Sequence, residues 1–235
     1  TNISCQTNAV FRDPSAWYHV VAVYDSTNAT QANRFLVYVN GVQQTLTTTT
    51  AITQNTNSFL NLSGTAENIG RYVGGSNYFD GYMAEVNFID GQALTPSSFG
   101  TTDPTTGVWT AQKYSGTYGT NGFYLPFSDT SALTTSSNAG LGKDFSGNGN
   151  YWTTNNISVT SGATYDAMVD SPTVSATASN YATLNPNFVS GSNGSTSDAN
   201  LTTVGGSGPC KVFPSSIAVK NGSKYYVEYK VVGSG

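Results

Sequence analysis

Three short constellations hold the side chains best suited to chemistry. The first is Asp144-Phe145-Ser146-Gly147-Asn148-Gly149. Oxygen donors at alternating positions followed by glycine match the front half of a calcium loop. The twelfth position is Asn155 rather than glutamate, so the bidentate ligand is missing. Any cation here would rest on Asp144, Ser146 and Asn148, and calcium would bind weakly. The competing reading is an Asx-turn running into an Asn-Gly loop. The second constellation is Glu85-Val86-Asn87-Phe88-Ile89-Asp90. It approaches the acidic E-x-D-x-x-E strand with which some glycosidases set an acid and a nucleophile a few ångströms apart. Asn87 stands where the middle aspartate belongs, Asp90 where the last glutamate belongs, and Asp90 lies in an Asp-Gly turn. The third is His19, the sole histidine, and the chain contains no G-x-S-x-G nucleophile elbow to partner it. None of the three is complete, so no catalytic residue and no resident cofactor is assigned.

A fourth kind of chemistry is spread over the surface. The chain has 15 tyrosines and abundant Ser, Thr and Asn, while charged residues make up only 9%. Rigid aromatic faces beside adaptable hydroxyl and amide groups suit sugar recognition, much as they serve antibody paratopes. The competing explanation is that Tyr and Thr are simply good strand residues, but that does not account for the scarcity of charge. The loop 74–78 with Asn77 and Tyr78, and the connection 114–118 with Tyr114 and Tyr118, are the candidate ligand-binding positions.

Composition narrows the function classes. Nine basic residues against thirteen acidic ones, a net charge of −4 and no basic run leave no electrostatic footprint for nucleic acid. No apolar run reaches the length of a membrane-spanning helix. A hydrophobic content of 37% with 12% aromatics supports a sizeable core in 235 residues and argues against disorder. Cys5 and Cys210 are too far apart in sequence for a metal motif, and the simpler reading is two buried free thiols, although a disulfide remains open.

The elements that must position these residues read as short strands. Asn8-Ala9-Val10-Phe11 is a candidate first strand, and Trp17 to Tyr24 a stronger one. Phe35-Leu36-Val37-Tyr38-Val39 leads into Asn40-Gly41, a strong hairpin signal, with residues 42–46 returning. Residues 58–62 and 68–72 follow, then Tyr82 to Phe88, with Tyr82, Ala84, Val86 and Phe88 on one face. Thr95-Pro96-Ser97-Ser98 fits one helical turn with Thr95 as N-cap. Residues 103–121 read as a Gly/Thr/Tyr-rich connection and 122–127 as a strand whose Pro126 marks an edge or an end. Trp17, Val21, Val23, Phe35, Val37, Val39, Ile69, Val86 and Phe88 are the expected core. Residues 171–180 have the Pro/Ser/Thr/Ala composition of a linker.

The segments Trp17-Tyr18-His19-Val20-Val21-Ala22-Val23-Tyr24-Asp25, Leu36-Val37-Tyr38-Val39-Asn40-Gly41 and Phe79-Asp80-Gly81-Tyr82-Met83-Ala84-Glu85-Val86 stand in the order found in laminin-G/pentraxin-like domains, and the chain resembles that concanavalin A-like group. The resemblance implies structural roles for His19 and Glu85. Arg12 to Val21, Tyr78 to Gly100 and Lys113 to Leu125 further resemble structural proteins of marine bacteriophages, in which such a domain runs on to a K-D-x-S-G-N-G-N-x-W loop and a D-x-P-T linker. That likeness covers about two thirds of the chain. It implies a tail-fibre or virion-surface location and attachment to a host. Residues 222–228 more faintly resemble the opening of SPRY-like sandwiches.

The expectation is therefore an all-β chain: an antiparallel two-sheet concanavalin A-like jelly-roll sandwich over 1–170, N-terminally incomplete and completed by 104–170. A linker at 171–180 and the start of a second, SPRY-like β-sandwich over 181–235 follow. Both ends are expected to be cut from a longer polypeptide. Three functions stay open: a non-catalytic adhesive module recognising host-surface glycan, a purely structural decoration or assembly protein of the particle, and a polysaccharide-degrading enzyme. The expected partners are other virion proteins, copies of the chain itself and a surface glycan, with no nucleic acid and no membrane span.

Overall fold

Short runs of β-branched and aromatic residues separated by Gly, Asn and Asp turns leave little room for helix, and the architecture follows that pattern. A computed structural model describes residues 5–13, 16–48, 51–58, 60, 62–72, 74–133, 136–160, 166–167, 170–173, 180–184, 195–197, 201–204 and 215. Among them there is no α-helix, only two single 3₁₀ turns at Gln31–Asn33 and Pro96–Ser98. The strands are β1 (Cys5–Thr7), β2 (Val20–Tyr24), β3 (Phe35–Val39), β4 (Val42–Gln43), β5 (Leu46–Thr48), β6 (Val86–Phe88), β7 (Gly100–Thr102), β8 (Trp109–Ala111), β9 (Phe123–Leu125), β10 (Ser195–Ser197) and β11 (Thr202–Val204). Every pairing between them is antiparallel. The chain is nearly all β, as expected, and its paired sheets are consistent with a concanavalin A-like sandwich.

The chain divides into two compact units, Thr1–Asp13 with Trp17–Asn180, and Pro14–Ala16 with Tyr181–Gly235. In the first, β2, β3 and β4 form a sheet in which Val20 pairs with Val39 and Tyr24 with Phe35. The Asn40-Gly41 hairpin forms as its sequence demands: both residues have positive φ, 48° and 79°, and Val39 pairs with Val42 across the turn. Asn40 also accepts the His19 backbone N–H on Oδ1 and donates its own N–H to the His19 carbonyl, which ties the turn to the chain entering β2. Arg34, just ahead of β3, is buried and donates to the carbonyls of Asn28, Ala29 and Ile52, so its charge is spread over backbone dipoles rather than paired with an acid.

The closing strand β6 pairs with β9, Val86 opposite Leu125 and Phe88 opposite Phe123. Trp17 donates its indole N–H to Asp170 at 2.9 Å. These contacts bring chain beyond residue 120 against the segments that open and close residues 17–94. In the second unit, β10 pairs with β11, and Leu184 forms an isolated bridge with Ser215.

Several local expectations change. The first strand is Cys5–Thr7 rather than residues 8–11, and it pairs with β5. The expected strand from Tyr82 shrinks to Val86–Phe88, because Glu85 takes a left-handed backbone with φ 56°, which extended chain cannot accommodate. Arg71 forms only an isolated bridge, to Tyr78. Thr95 precedes the 3₁₀ turn as expected but caps nothing; its hydroxyl meets that of Ser97 at 2.8 Å. The presumed connection after residue 103 contains β8, which folds back on β7 through a turn where Asp103 Oδ1 accepts the Thr105 and Thr106 N–H groups. Phe59, Asn61, Cys210, residues 217–230 and most of the linker lie outside the described residues. Cys5 is a free thiol and is half-buried rather than buried.

Of the expected core, Val37 and Val39 are buried, whereas Trp17, Val21, Val23, Phe35, Ile69, Val86 and Phe88 are half-buried. The register explains part of this: directly opposed residues share a face, and Val21 and Val23 oppose Tyr38 and Leu36 while Val37 and Val39 oppose Ala22 and Val20, so the two expected core valines of β2 lie on the other face from those of β3. Among the described residues Ile52, Pro96, Phe99, Tyr114, Tyr124, Leu125, Leu141 and Ala167 are buried as well.

Candidate functional site

The segment 113–125 leaves β8, crosses in front of β6 and returns as β9. Its tyrosines at 114, 118 and 124 build a chain of ring contacts. Phe99 meets Tyr114 at 5.1 Å between centroids, Tyr114 meets Tyr118 edge-on at 5.1 Å, and Tyr118 stacks on Tyr124 at 6.2 Å. His19 extends the row at the far end, 6.4 Å from Phe99 and 5.4 Å from Trp109. Each tyrosine hydroxyl has a fixed acceptor: Tyr114 donates to the Thr117 carbonyl, Tyr118 to Asn87 Oδ1 and Tyr124 to Glu85 Oε2 at 2.6 Å. Such rings are held at both the face and the tip, the arrangement that keeps a buried phenol satisfied.

Burial sets the electrostatics. It raises the Glu85 carboxyl above its ordinary value, with the Tyr124 hydroxyl and the Lys113 charge pulling partly back. It pushes the Tyr118 phenol up to about 12, helped by Tyr114, Glu85 and Asp144, and raises Tyr124 further with the Glu85 hydrogen bond adding to it. His19 is lowered by burial. Lys113 Nζ lies 5.7 Å from the Tyr124 ring centre, within cation–π range.

On the outer side of this row the surface opens into a hollow of about 470 Å³, lined by Lys113, Tyr114, Ser115, Gly116, Tyr118 and Phe145. Tyr114 and Tyr118, two of the expected ligand-binding tyrosines, therefore come together at one cavity. Tyr114 is only 7% exposed, so it offers the hollow an edge rather than an open face, whereas Phe145 is 43% exposed. Asn77 and Tyr78 are placed elsewhere. Asn77 sits in the left-handed region, φ 59°, at a tight turn closed by the Tyr72 N–H donating to the Asn77 carbonyl and the Gly75 N–H to the Tyr72 carbonyl, and Tyr78 is 69% exposed. Tyr72, Phe79 and Tyr82 are exposed as well.

The three expected cation ligands also come together, but around donors. Asp144 is buried, and its Oδ1 accepts the Tyr124 and Ser146 backbone N–H groups while Oδ2 accepts the Ser146 hydroxyl and the Asn150 N–H. Burial works against the charged form, yet these four bonds outweigh it and hold the carboxyl below its ordinary value. Asn148 turns its amide nitrogen to the carbonyls of Gly119 and Gly122, and Asn150 does the same to Thr120 and Gly122. The loop is an Asx-turn that clamps 119–122 to β9. Its aspartate oxygens are taken up by two N–H donors on one side and an O–H and an N–H on the other, so Asp144, Ser146 and Asn148 form the Asx-turn of the two readings. Among the described residues no cluster of three His, Cys, Asp or Glu side chains has metal-binding geometry.

The acidic strand motif separates in the same way. Glu85 Oε2 takes the Tyr124 hydroxyl, while Asp90 Oδ2 takes the backbone and side-chain N–H groups of Asn121. Sequence reasoning missed Phe99, Lys113, Tyr124 and Phe145 as neighbours of Tyr114 and Tyr118. The i, i+4 spacing of Tyr114 and Tyr118 was a visible signal, but pairing them with Tyr124 required the β6–β9 register.

Residues 1–99 match a family model described as the concanavalin A-like lectin/glucanases superfamily. No curated protein matches the chain, and no solved structure does. No helix among the described residues is long and apolar enough to cross a membrane.

Proposed function

We propose that this chain is a non-catalytic adhesive module of a phage fibre-like virion surface protein and that it holds a host-surface glycan in the hollow beside Tyr118. The observation that carries the reading is the hollow itself. It offers the exposed Phe145 ring, the edges of Tyr114 and Tyr118, the Ser115 hydroxyl and exposed backbone around Gly116 within one concavity. A sugar ring needs that combination, an apolar face to cover its C–H groups and polar groups beside it for its hydroxyls. Nothing in the hollow's lining supplies the paired carboxylates that glycoside hydrolysis uses. The virion location rests on the likeness of the three sequence blocks to phage structural proteins.

The exposed aromatic group Tyr72, Tyr78, Phe79 and Tyr82 favours a second reading, a purely structural assembly protein, because large exposed apolar residues in one segment are usual where another protein packs. The test is adsorption of purified particles or the isolated protein to host cells and to host envelope polysaccharide, comparing the parent with Phe145→Ala and Tyr78→Ala. Loss of adsorption with Phe145→Ala, the protein remaining folded, is the expected result. Unchanged adsorption together with failed assembly of Tyr78→Ala would support the structural reading instead. Release of reducing sugar ends would replace both with an enzyme.

A further inference from the structure

Resting on the glycan-binding reading, we infer that the hollow selects acidic saccharides, those carrying a carboxylate such as a uronic acid, and that Lys113 is the residue that recognises the charge. Charge is rare in this chain, and lysine especially so in the unit that holds the hollow. Lys113 and Lys143 are the lysines found between residues 1 and 180. Both lie at this one place: Lys113 lines the hollow, and Lys143 Nζ sits 4.9 Å from the ring centre of Phe145, which lines it too. A cation in the lining and a second against the Phe145 ring stand out on a surface with so few charges.

The surrounding acids are already engaged, and to different degrees. Asp144 is saturated by four donors. Asp129 forms an ion pair with Lys143 at 3.6 Å. Glu85 attracts Lys113 through space, but its Oε2 is held by the Tyr124 hydroxyl and it forms no ion pair with Lys113 within 4 Å. Lys113 is exposed, and its ammonium, 5.7 Å from the Tyr124 ring centre and in no ion pair with a described residue, can turn from that ring toward a ligand. A sugar lying against Phe145 and Tyr118 would place a ring carboxylate within reach of that ammonium.

The probe is tetragalacturonate, compared with its fully methyl-esterified form, which keeps the shape and removes the charge. Binding to the full chain is followed by calorimetry at low and at high salt, with Lys113→Gln and Phe145→Ala as variants and melting curves to confirm folding. The expected result is binding of the acid form, weakened about fivefold by Lys113→Gln, as one partly exposed ion pair allows, and weakened by salt in the parent more than in the variant. Equal binding of the acid and the ester, or no loss in folded Lys113→Gln, would overturn the inference and leave the glycan reading standing. Binding of neither form would overturn the inference here, and unchanged cell adsorption by Phe145→Ala would separately remove the reading beneath it.

Discussion

Asp144 shows how a carboxylate earns a buried place in a chain with so few charges. Its four donors all come from the loop it organises and the strand it clamps, so the charge is solvated by the protein itself. Asp144→Asn would replace an acceptor with an amide group facing donors, and we expect a loss of about 2 kcal/mol, or roughly 6 °C in Tm for a protein of this size. The pH dependence follows from the sign. The folded carboxyl is held below its ordinary value of 3.8, so its stabilisation is fully present above that value and is lost as pH falls through the lower folded one. Glu85 is raised and acts the other way, its share being lost as pH rises, but it is common to both proteins and cancels in the difference. The Tm gap between parent and Asp144→Asn should therefore be constant near neutrality and narrow below about pH 4. A gap that stays constant into acid would show that the charge is not what the loop uses. The type of this residue, with Ser146 and Asn148 after it, was legible as either an Asx-turn or a cation loop. Sequence could not choose, because the deciding donor at Tyr124 and the acceptors at Gly119 and Gly122 come from twenty or more residues away.

At the scale of elements, what was legible was local. The Asn40-Gly41 hairpin and the strand Phe35–Val39 follow from adjacent residues and form as read, while the return expected over 42–46 stops at Gln43, and Leu46–Thr48 pairs with β1 instead. The strand from Tyr82 does not form as read, because the left-handed backbone at Glu85 belongs to a site where the side chain reaches Tyr124 across the sheet, and no neighbour in sequence announces it. The same division lets the hairpin be tested. Gly41 has φ 79°, and a Cβ there would overlap the Trp109 ring, whereas Gly91 has the same φ with open space around it. Gly91→Ala should cost only the backbone penalty, about 1–2 kcal/mol. Gly41→Ala should cost clearly more, by about 1–3 kcal/mol for the overpacking, since Trp109 is itself held against His19. Urea unfolding of the two variants checks this. Equal losses would mean that the Trp109 ring moves aside freely from Gly41.

At the scale of the whole molecule, the scarcity of charge becomes a statement about what holds the chain together. Lys143 and Asp129 form an ion pair at 3.6 Å, and its lysine is substantially exposed. The buried Arg34 is held by three carbonyls, and of the buried aspartates Asp144 is held by four N–H and O–H donors while Asp170 accepts the Trp17 indole N–H, short-range bonds that dissolved ions do not screen. Stability should accordingly rest on apolar packing and hydrogen bonds and be almost indifferent to chloride salt. Raising salt from about 0.1 M to about 1 M shortens the Debye length from about 10 Å to about 3 Å, yet Tm should move by no more than about 2 °C, since exposed pairs contribute about 0–1 kcal/mol. Binding of an acidic glycan through Lys113 should weaken over that range. The two responses are measured on one sample, by melting curves and by calorimetry, and their separation is the point. A fold that loosened with salt in step with binding would trace the salt effect to the scaffold, and the charge of Lys113 would then not be acting on the ligand.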